Sequence, residues 1–171
     1  MKIRRSVKFL IFGLLLKILI ILFILFQIYK VYYFIFEKEV ERDLEIDIPM
    51  FAPRQTTYYD TKDSFETEKL KKIKLTKNQS KKILEQIKNN NKWKYGEVDK
   101  KIVDKIKFHT NGLYDTIPEI ENKYWIISRR TNREVYEYDI DKILEKFTFG
   151  FSIGIFDYEN RVIYFFAYVD N

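Results

Sequence analysis

The sequence predicts an α+β protein, with a single N-terminal transmembrane helix followed by two or three helices packed on a small antiparallel sheet that ends in a C-terminal β-hairpin. Three observations predict it. Residues 9–36 are apolar apart from Lys17, Lys30 and Gln27. Two stretches between Thr76 and His109 carry a helical apolar period with capping residues at their starts. Residues 147–157 and 161–169 alternate as paired strands do. The expected organisation is a basic cytoplasmic tail at 1–8, a signal anchor at 9–36, a stalk at 37–68 and an exported α+β domain at 69–171.

The 21 residues from Phe9 to Tyr29 contain one charge, Lys17. At about 1.5 Å per residue, about 20 apolar residues cross the hydrocarbon core of a bilayer. Phe9, Leu16, Ile21, Leu25 and Tyr29 mark this membrane anchor along its length. The apolar run continues to Phe36, so the span can tilt or slide toward that end. Lys17 lies near the basic end, where a long stem lets its ammonium snorkel. A cleaved signal peptide would need small residues after the run, yet the first Ala is Ala52, and a lipoprotein signal would need a Cys, of which there is none. Lys2, Arg4, Arg5 and Lys8 precede the span, whereas Lys38 and Arg42 follow it among six acids from Glu37 to Asp47. The positive-inside rule then keeps the N-terminus in the cytoplasm and exports the remainder, with Tyr29, Tyr32, Tyr33, Phe34 and Phe36 as an outer aromatic belt.

Phe36, Val40 and Leu44 fall four apart, so Glu37 to Leu44 can prolong the anchor helix until Pro49 and Pro53 stop it. The polar stretch from Ala52 to Glu68 has no sustained period and reads as an extended connector with little packing. Leu70, Ile73 and Leu75 suit a short strand or an irregular lead-in. Thr76 with Gln79 forms a capping box for a helix whose apolar stripe is Ile83, Leu84 and Ile87. Asp99 caps a second helix, with Val98 and Val103 as a hydrophobic staple and Ile102 and Ile106 on the buried face. An Asn111-Gly112 turn follows. Tyr124 to Ser128 is a strand, Arg129 to Arg133 a polar turn, and Ile140, Ile143, Leu144 and Phe147 suit a short helix in an ambiguous stretch.

In the terminal hairpin, a two-residue turn at Glu159-Asn160 would place Gly154 opposite Phe165, Ser152 opposite Ala167 and Ile153 opposite Phe166; a longer loop would change these partners. Positions 147, 149, 151, 153 and 155 are bulky, and Thr148, Gly150, Ser152 and Gly154 between them are small. The bulky face calls for a helix layer, and the small face admits close packing by another element, with Phe165 filling the space over Gly154. The many aromatics here read as a sheet core, or else as a ligand surface.

Of the 31 Lys and Arg, six lie before residue 37 in a stretch without acids, and the other 25 balance the 25 Asp and Glu. The net charge of +6 therefore belongs to the anchor segment, and charge gives no reason to expect nucleic acid as a partner. With no Cys and a single His, disulfides, thiolate sites and multi-histidine metal sites are excluded, and no metal or cofactor is expected. His109 with acidic neighbours such as Asp104 and Asp115 could serve a membrane-anchored hydrolase, but no nucleophile motif accompanies it; a surface or C-capping role is the plainer reading. The pairs Glu119/Glu121 and Asp139/Asp141 read as solvated loop charge, with glycosidase-type carboxylates as the sharper reading. Lysines 69, 71, 72, 74, 77, 81 and 82 form a run (Lys69–Lys82) that could meet anionic head groups or a wall polymer, or else be a solvated face. Arg129, Arg130 and Arg133 are the only Arg cluster of the exported part and the candidate binding residues; pairing with Glu134 or Glu137 is the plainer reading.

The C-terminal third reads Ile117-Pro118-x-Ile120-x-Asn122-x-Tyr124-Trp125, then Arg129, then the hairpin strands Phe149 to Asp157 and Val162 to Asp170. Over about residues 110–171 this pattern resembles a group of small uncharacterised proteins of low-GC bacteria, many of which join an N-terminal transmembrane helix to a short C-terminal α+β domain. The resemblance implies that architecture and no activity. Ala at only positions 52 and 167, with abundant Lys, Ile, Asn, Tyr and Phe, fits AT-rich coding. The expectation is a non-catalytic, single-pass binding or envelope module, in one specific form an immunity-type protein that meets a protein partner outside the membrane.

Overall fold

The computed structural model describes residues 2–33, 38–60, 66–109, 112–130, 136–145 and 150–170. The chain forms two units, Met1–Glu39 and Val40–Asn171. The first contains α1 (Lys2–Tyr32), of which Phe12–Tyr32 has a mean hydropathy of 2.5 with none of its length buried. It is a single N-terminal helix long and apolar enough to span a membrane. Leu16, Ile21 and Leu25 are all exposed along it, as a lipid-facing surface requires, and Tyr29 lies near its C-terminal end. Phe9 lies on the same helix, with its side chain outside those described.

The second unit is a three-layer α+β domain. Its elements in order are α2 (Lys38–Leu44, entering the unit at Val40), β1 (Arg54–Asp60), β2 (Glu66–Lys74), α3 (Lys77–Lys88), β3 (Lys94–Tyr95), α4 (Lys100–His109), a 3-10 turn at Tyr114–Thr116, β4 (Lys123–Arg130), β5 (Tyr136–Glu137), α5 (Ile140–Glu145), β6 (Phe151–Asp157) and β7 (Val162–Asp170). The seven strands form an antiparallel sheet in the order β1-β2-β7-β6-β4-β3, with β5 paired to the end of β4.

The hairpin has the register that the alternation predicts: Gly154 pairs with Phe165, Ser152 with Ala167 and Ile153 with Phe166. The last pair is Asp157 with Val162, so the connection is a four-residue loop that preserves the same register. Buried Asp157 holds that loop by accepting the backbone N–H and the side-chain amide of Asn160 at 2.9 and 2.8 Å, and Arg161 takes a left-handed φ of 57°. The predicted capping box of α3 is present, with Thr76 Oγ1 accepting Gln79 N–H and Gln79 Oε1 accepting Thr76 N–H. Asp99 Oδ1 accepts the N–H of Lys101 at the start of α4. Of the described hairpin aromatics, Phe151, Phe156, Tyr164, Phe165, Phe166 and Tyr168 are buried core, and Tyr158 in the loop is exposed.

The described residues of the expected stalk, 38–60 and 66–68, depart from it. Val40, Leu44, Ile46, Ile48 and Ala52 are buried in the domain core, and Arg54 to Asp60 form a full edge strand. Val40 and Leu44 keep the helical spacing read from the sequence, but no single period takes in Ile46, Ile48 and Ala52 as well. They are recruited one by one through tertiary contacts, and β1 is fixed only by pairing with β2. Arg54 clamps the preceding turn, its guanidinium donating to the carbonyls of Met50, Ala52 and Pro49. The lead-in at Leu70 is likewise a nine-residue strand, paired on both sides with β1 and β7. The sheet is thus larger than predicted and has helices on both faces. Residues 34–37, where the anchor helix was expected to continue, and Phe147 to Phe149 lie outside the described residues.

Strand parity divides the core into two layers. Trp125, Ile127, Phe151, Ile153, Ile155, Tyr164 and Phe166 face α4, α5 and the Leu113–Ile120 segment. Ile126, Phe156, Ile163, Phe165 and Ala167 face α2, α3 and Trp93. On this second face the space over Gly154, assigned to Phe165 from the sequence, belongs to Leu44: a Cβ at position 154 would collide with its methyl groups. Ser128, Ser152 and Ala167 form an aligned row of small residues across three strands beside it. Ser152 Oγ donates to the Asp43 carboxylate at 2.6 Å, and Ser128 Oγ donates to the Asp43 carbonyl at 3.0 Å. Trp93 Nε1 donates to the Leu44 carbonyl at 2.9 Å. The last carbonyls of α2, which a helix leaves without internal partners, are therefore capped by the sheet and by the segment after α3.

Candidate functional site

The segment after α4 builds a surface depression on the domain. Thr116 Oγ1 donates to the Leu113 carbonyl at 2.7 Å, and the amides of Asp115, Thr116 and Ile117 close onto Gly112, Leu113 and Tyr114. This stiff turn and Pro118 stand away from α4 and leave a cleft of about 460 Å³ over Ile155 of β6. Val98, Val103, Tyr114, Ile117 and Ile120 form its apolar wall, while Glu97, Lys107, Asp115, Glu119 and Lys123 give it a rim of both signs. Lys107 Nζ pairs with Asp115 Oδ1 at 3.1 Å across the mouth. Tyr114 stacks edge-on against Phe166 at 5.7 Å, and burial, reinforced by Asp115, pushes its phenol up to about 12, so it stays a neutral donor. An apolar wall with a few oriented polar groups is the make-up of a binding cleft. Among the described residues, neither Ser nor His lines it.

Of the residues singled out in sequence, Asp115 and Glu119 come together on the rim of this cleft, whereas Arg129, the lysine run and the Asp139/Asp141 pair lie outside its described lining. Arg129 is a strand residue, paired with Glu137 across β4 and β5 and only 8% exposed, where a surface turn was expected. The sequence hid this because β5 is two residues long and joins β4 only through tertiary pairing. Arg130 continues the strand opposite Tyr136, and Arg133 lies outside the described residues. The lysine run is split by strand parity and by α3. Lys71 is 2% exposed, Lys72 lies over the Tyr164 ring at 5.5 Å, and Lys77, Lys81 and Lys82 are exposed on the helix. His109 closes α4, with its side chain outside those described. Asp115, one of its proposed acidic partners, is held by Lys107. Asp139 is the N-cap of α5, accepting the N–H of Asp141 and Lys142 at 3.1 and 3.4 Å. Glu119 lines the cleft rim, and Glu121 is exposed. Among the described residues, no three His, Asp or Glu converge as a metal site would require.

Sequence reasoning missed the cleft, although Gly112, Ile117 and Pro118 punctuate the segment that forms it. It also missed Asp43, which reads as one of many stalk acids and is buried at 7% exposure. Comparison with family models, curated proteins and solved structures finds no match to this chain.

Proposed function

We propose that the chain is a single-pass membrane protein whose N-terminus stays in the cytoplasm and whose C-terminal domain acts outside it as a non-catalytic binding module of a bacterial envelope. One observation carries the reading: a 21-residue helical span of mean hydropathy 2.5, with basic residues on its N-terminal side, joined to a unit with its own sheet and core. The cleft between α4 and the Leu113–Ile120 segment is the binding surface, and its apolar wall with a mixed-charge rim suits an apolar side chain of a protein partner. The resemblance to small anchored proteins of low-GC bacteria supports the same architecture. In its most specific form the module is immunity-type and intercepts a toxin before it reaches the membrane, which small size and tethering both favour.

Fractionation tests the anchor. The full-length chain should remain in membranes through carbonate extraction, and a soluble species shortened at its N-terminus would sink the reading. A phosphatase fused after Asn171 should be active while a cytoplasmic fluorescent reporter at the same place stays dark; the reverse pattern would invert the topology. For the cleft, Ile117→Asp and Val103→Asp should abolish partner binding while the domain still melts cooperatively.

A further inference from the structure

A second, smaller depression lies on the opposite face of the sheet, where the first turn of α3 meets the β6–β7 loop. It has a volume of about 330 Å³ and is lined by Lys77, Ser80, Tyr158, Glu159 and Arg161. We propose that it is a binding site for a phosphate group, either inorganic phosphate or the terminal phosphate of a monoester.

Four features converge on an oxyanion. The N-terminus of α3 carries the positive end of the helix dipole, and its first turn contains no acid to offset it. The capping box uses the N–H of Gln79, which leaves the amides of Lys77 and Asn78 directed out of the helix end. Lys77 and Arg161 place two cations on the rim, and neither forms an ion pair with any described residue. Glu159 is the one acid among the described residues of the lining, and its carboxylate is turned to Asn122, whose Nδ2 donates to it at 3.1 Å.

The fourth feature is Ser80. It is 1% exposed, and its hydroxyl has no hydrogen-bond partner among the described residues. A buried hydroxyl without a partner is unfavourable, and such groups are rare in folded proteins. This one lines the same depression as Lys77 and Arg161, where it can donate to an oxygen of a bound phosphate. The loop that supplies Arg161 is rigid: Asp157 grips Asn160 through both carboxylate oxygens, and the Arg161 carbonyl accepts Leu75 N–H at 2.9 Å. The site is thus preformed, and a phosphate would complete it by satisfying Ser80, Lys77, Arg161 and the first-turn amides together.

The test uses the full chain in neutral detergent micelles, titrated with inorganic phosphate at constant ionic strength and followed by calorimetry and by amide shifts. Saturable binding is expected below about 10 mM, with the largest shifts at Lys77, Asn78 and Arg161. Lys77→Gln and Arg161→Gln should each weaken it about tenfold. Ser80→Ala should also weaken binding yet melt at or above the wild-type temperature, because it removes an unsatisfied buried group. A purely structural Ser80 would not separate the two readouts. No saturation by about 10 mM, or equal affinity in all three variants, overturns the site. Nanodiscs then distinguish the sources of the phosphate. If phosphatidic acid in a phosphatidylcholine disc abolishes the phosphate response, the occupant is a lipid head group; if the response persists in both discs, it is a soluble phosphate.

Discussion

The two faces of the sheet solve the same burial problem in different ways. Toward α4 and α5, strand positions 151, 153, 155, 164, 166 and 168 are all large, so the sheet supplies the volume and the helices need only Ile102, Ile106 and Ile143 to close it. Toward α2 and α3, Ser128, Ser152, Gly154 and Ala167 leave a gap beside the large Ile126, Phe156, Ile163 and Phe165, and there the volume arrives from outside as Leu44 and Val40. The first face is generic packing, in which size matters more than position. The second is a fitted slot, with Leu44 over a glycine and Asp43 gripped by two serines. The difference teaches that the segment before Pro49 is an integral wedge of the domain.

The largest effects should be common to both faces. Phe165 and Phe166 are adjacent, both 0% exposed, and point to opposite layers. Truncating a buried Phe to Ala costs about 3–5 kcal/mol, against about 5–15 kcal/mol for a whole domain. Phe165→Ala and Phe166→Ala should each remove most of the cooperative melting of the full chain, read by circular dichroism. Wild-type melting in either variant would mean that its layer is not core.

The slot should then separate the faces. Leu44→Ala should cost about 2–5 kcal/mol, and Gly154→Ala about 1–3 kcal/mol because the new methyl has to displace Leu44. The double variant should cost less than the two together, since the methyl at 154 occupies space that Leu44 vacates. Strict additivity would show that the two residues do not share that space. One step smaller, Ser152→Ala removes a donor from the buried Asp43 carboxylate and should cost about 1–3 kcal/mol. On the other face, Ile155→Val should cost no more than about 0.5–1.5 kcal/mol.

These contrasts also explain what could be read from sequence. The hairpin register was legible because bulky and small residues alternate without interruption from 151 to 155, and a one-residue slip would turn every large side chain onto the face that the small residues leave open for close packing. The α3 start was legible because Thr76 and Gln79 act locally. The small face announced a close-packing partner without naming it. Leu44, 110 positions before Gly154, belongs to a stretch whose charges resemble a solvated stalk, and nothing local distinguishes Asp43 from Glu41 or Asp47. The same holds for Arg129, buried by a two-residue strand. The cleft escaped because it is made by a turn standing off a helix, and sequence period does not report empty space.

The smallest effect probes how the wedge is latched at its end, and one position should give it two signs. Glu45 follows α2 with a left-handed φ of 50°, while Ile46 N–H reaches back to the Glu41 carbonyl at 3.3 Å, the arrangement in which Gly is usual. A non-glycine residue there costs about 1–2 kcal/mol. What Glu45 offers in return is its carboxylate, which accepts Lys92 Nζ at 2.6 Å and the Tyr138 hydroxyl at 2.7 Å, with Lys92 lying over the Tyr138 ring at 4.0 Å. Burial alone would raise the Glu45 pKa, but the Lys92 and Tyr138 hydrogen bonds outweigh it and hold it below the ordinary carboxylate value. Burial and then Glu45 push the Tyr138 phenol well up. A lowered carboxylate stabilises the fold above its unfolded value and loses that contribution as pH falls through the folded value; a raised phenol stabilises below its unfolded value and loses it as pH rises. The latch should therefore act at neutral pH and weaken at both extremes. Lys92 and Glu45 are each 36% exposed, which limits their pairing to about 0.2–1 kcal/mol. Glu45→Gln should lower neutral-pH stability by up to about 1 kcal/mol and flatten the acid limb of a melting profile taken from pH 3 to 8. Glu45→Gly should flatten the same limb yet melt at or above the wild-type temperature, because relief of the backbone exceeds loss of a half-exposed ion pair. If both variants fall together, the carboxylate latch holds α2 more strongly than its exposure allows, and the wedge depends on its rim as much as on Leu44.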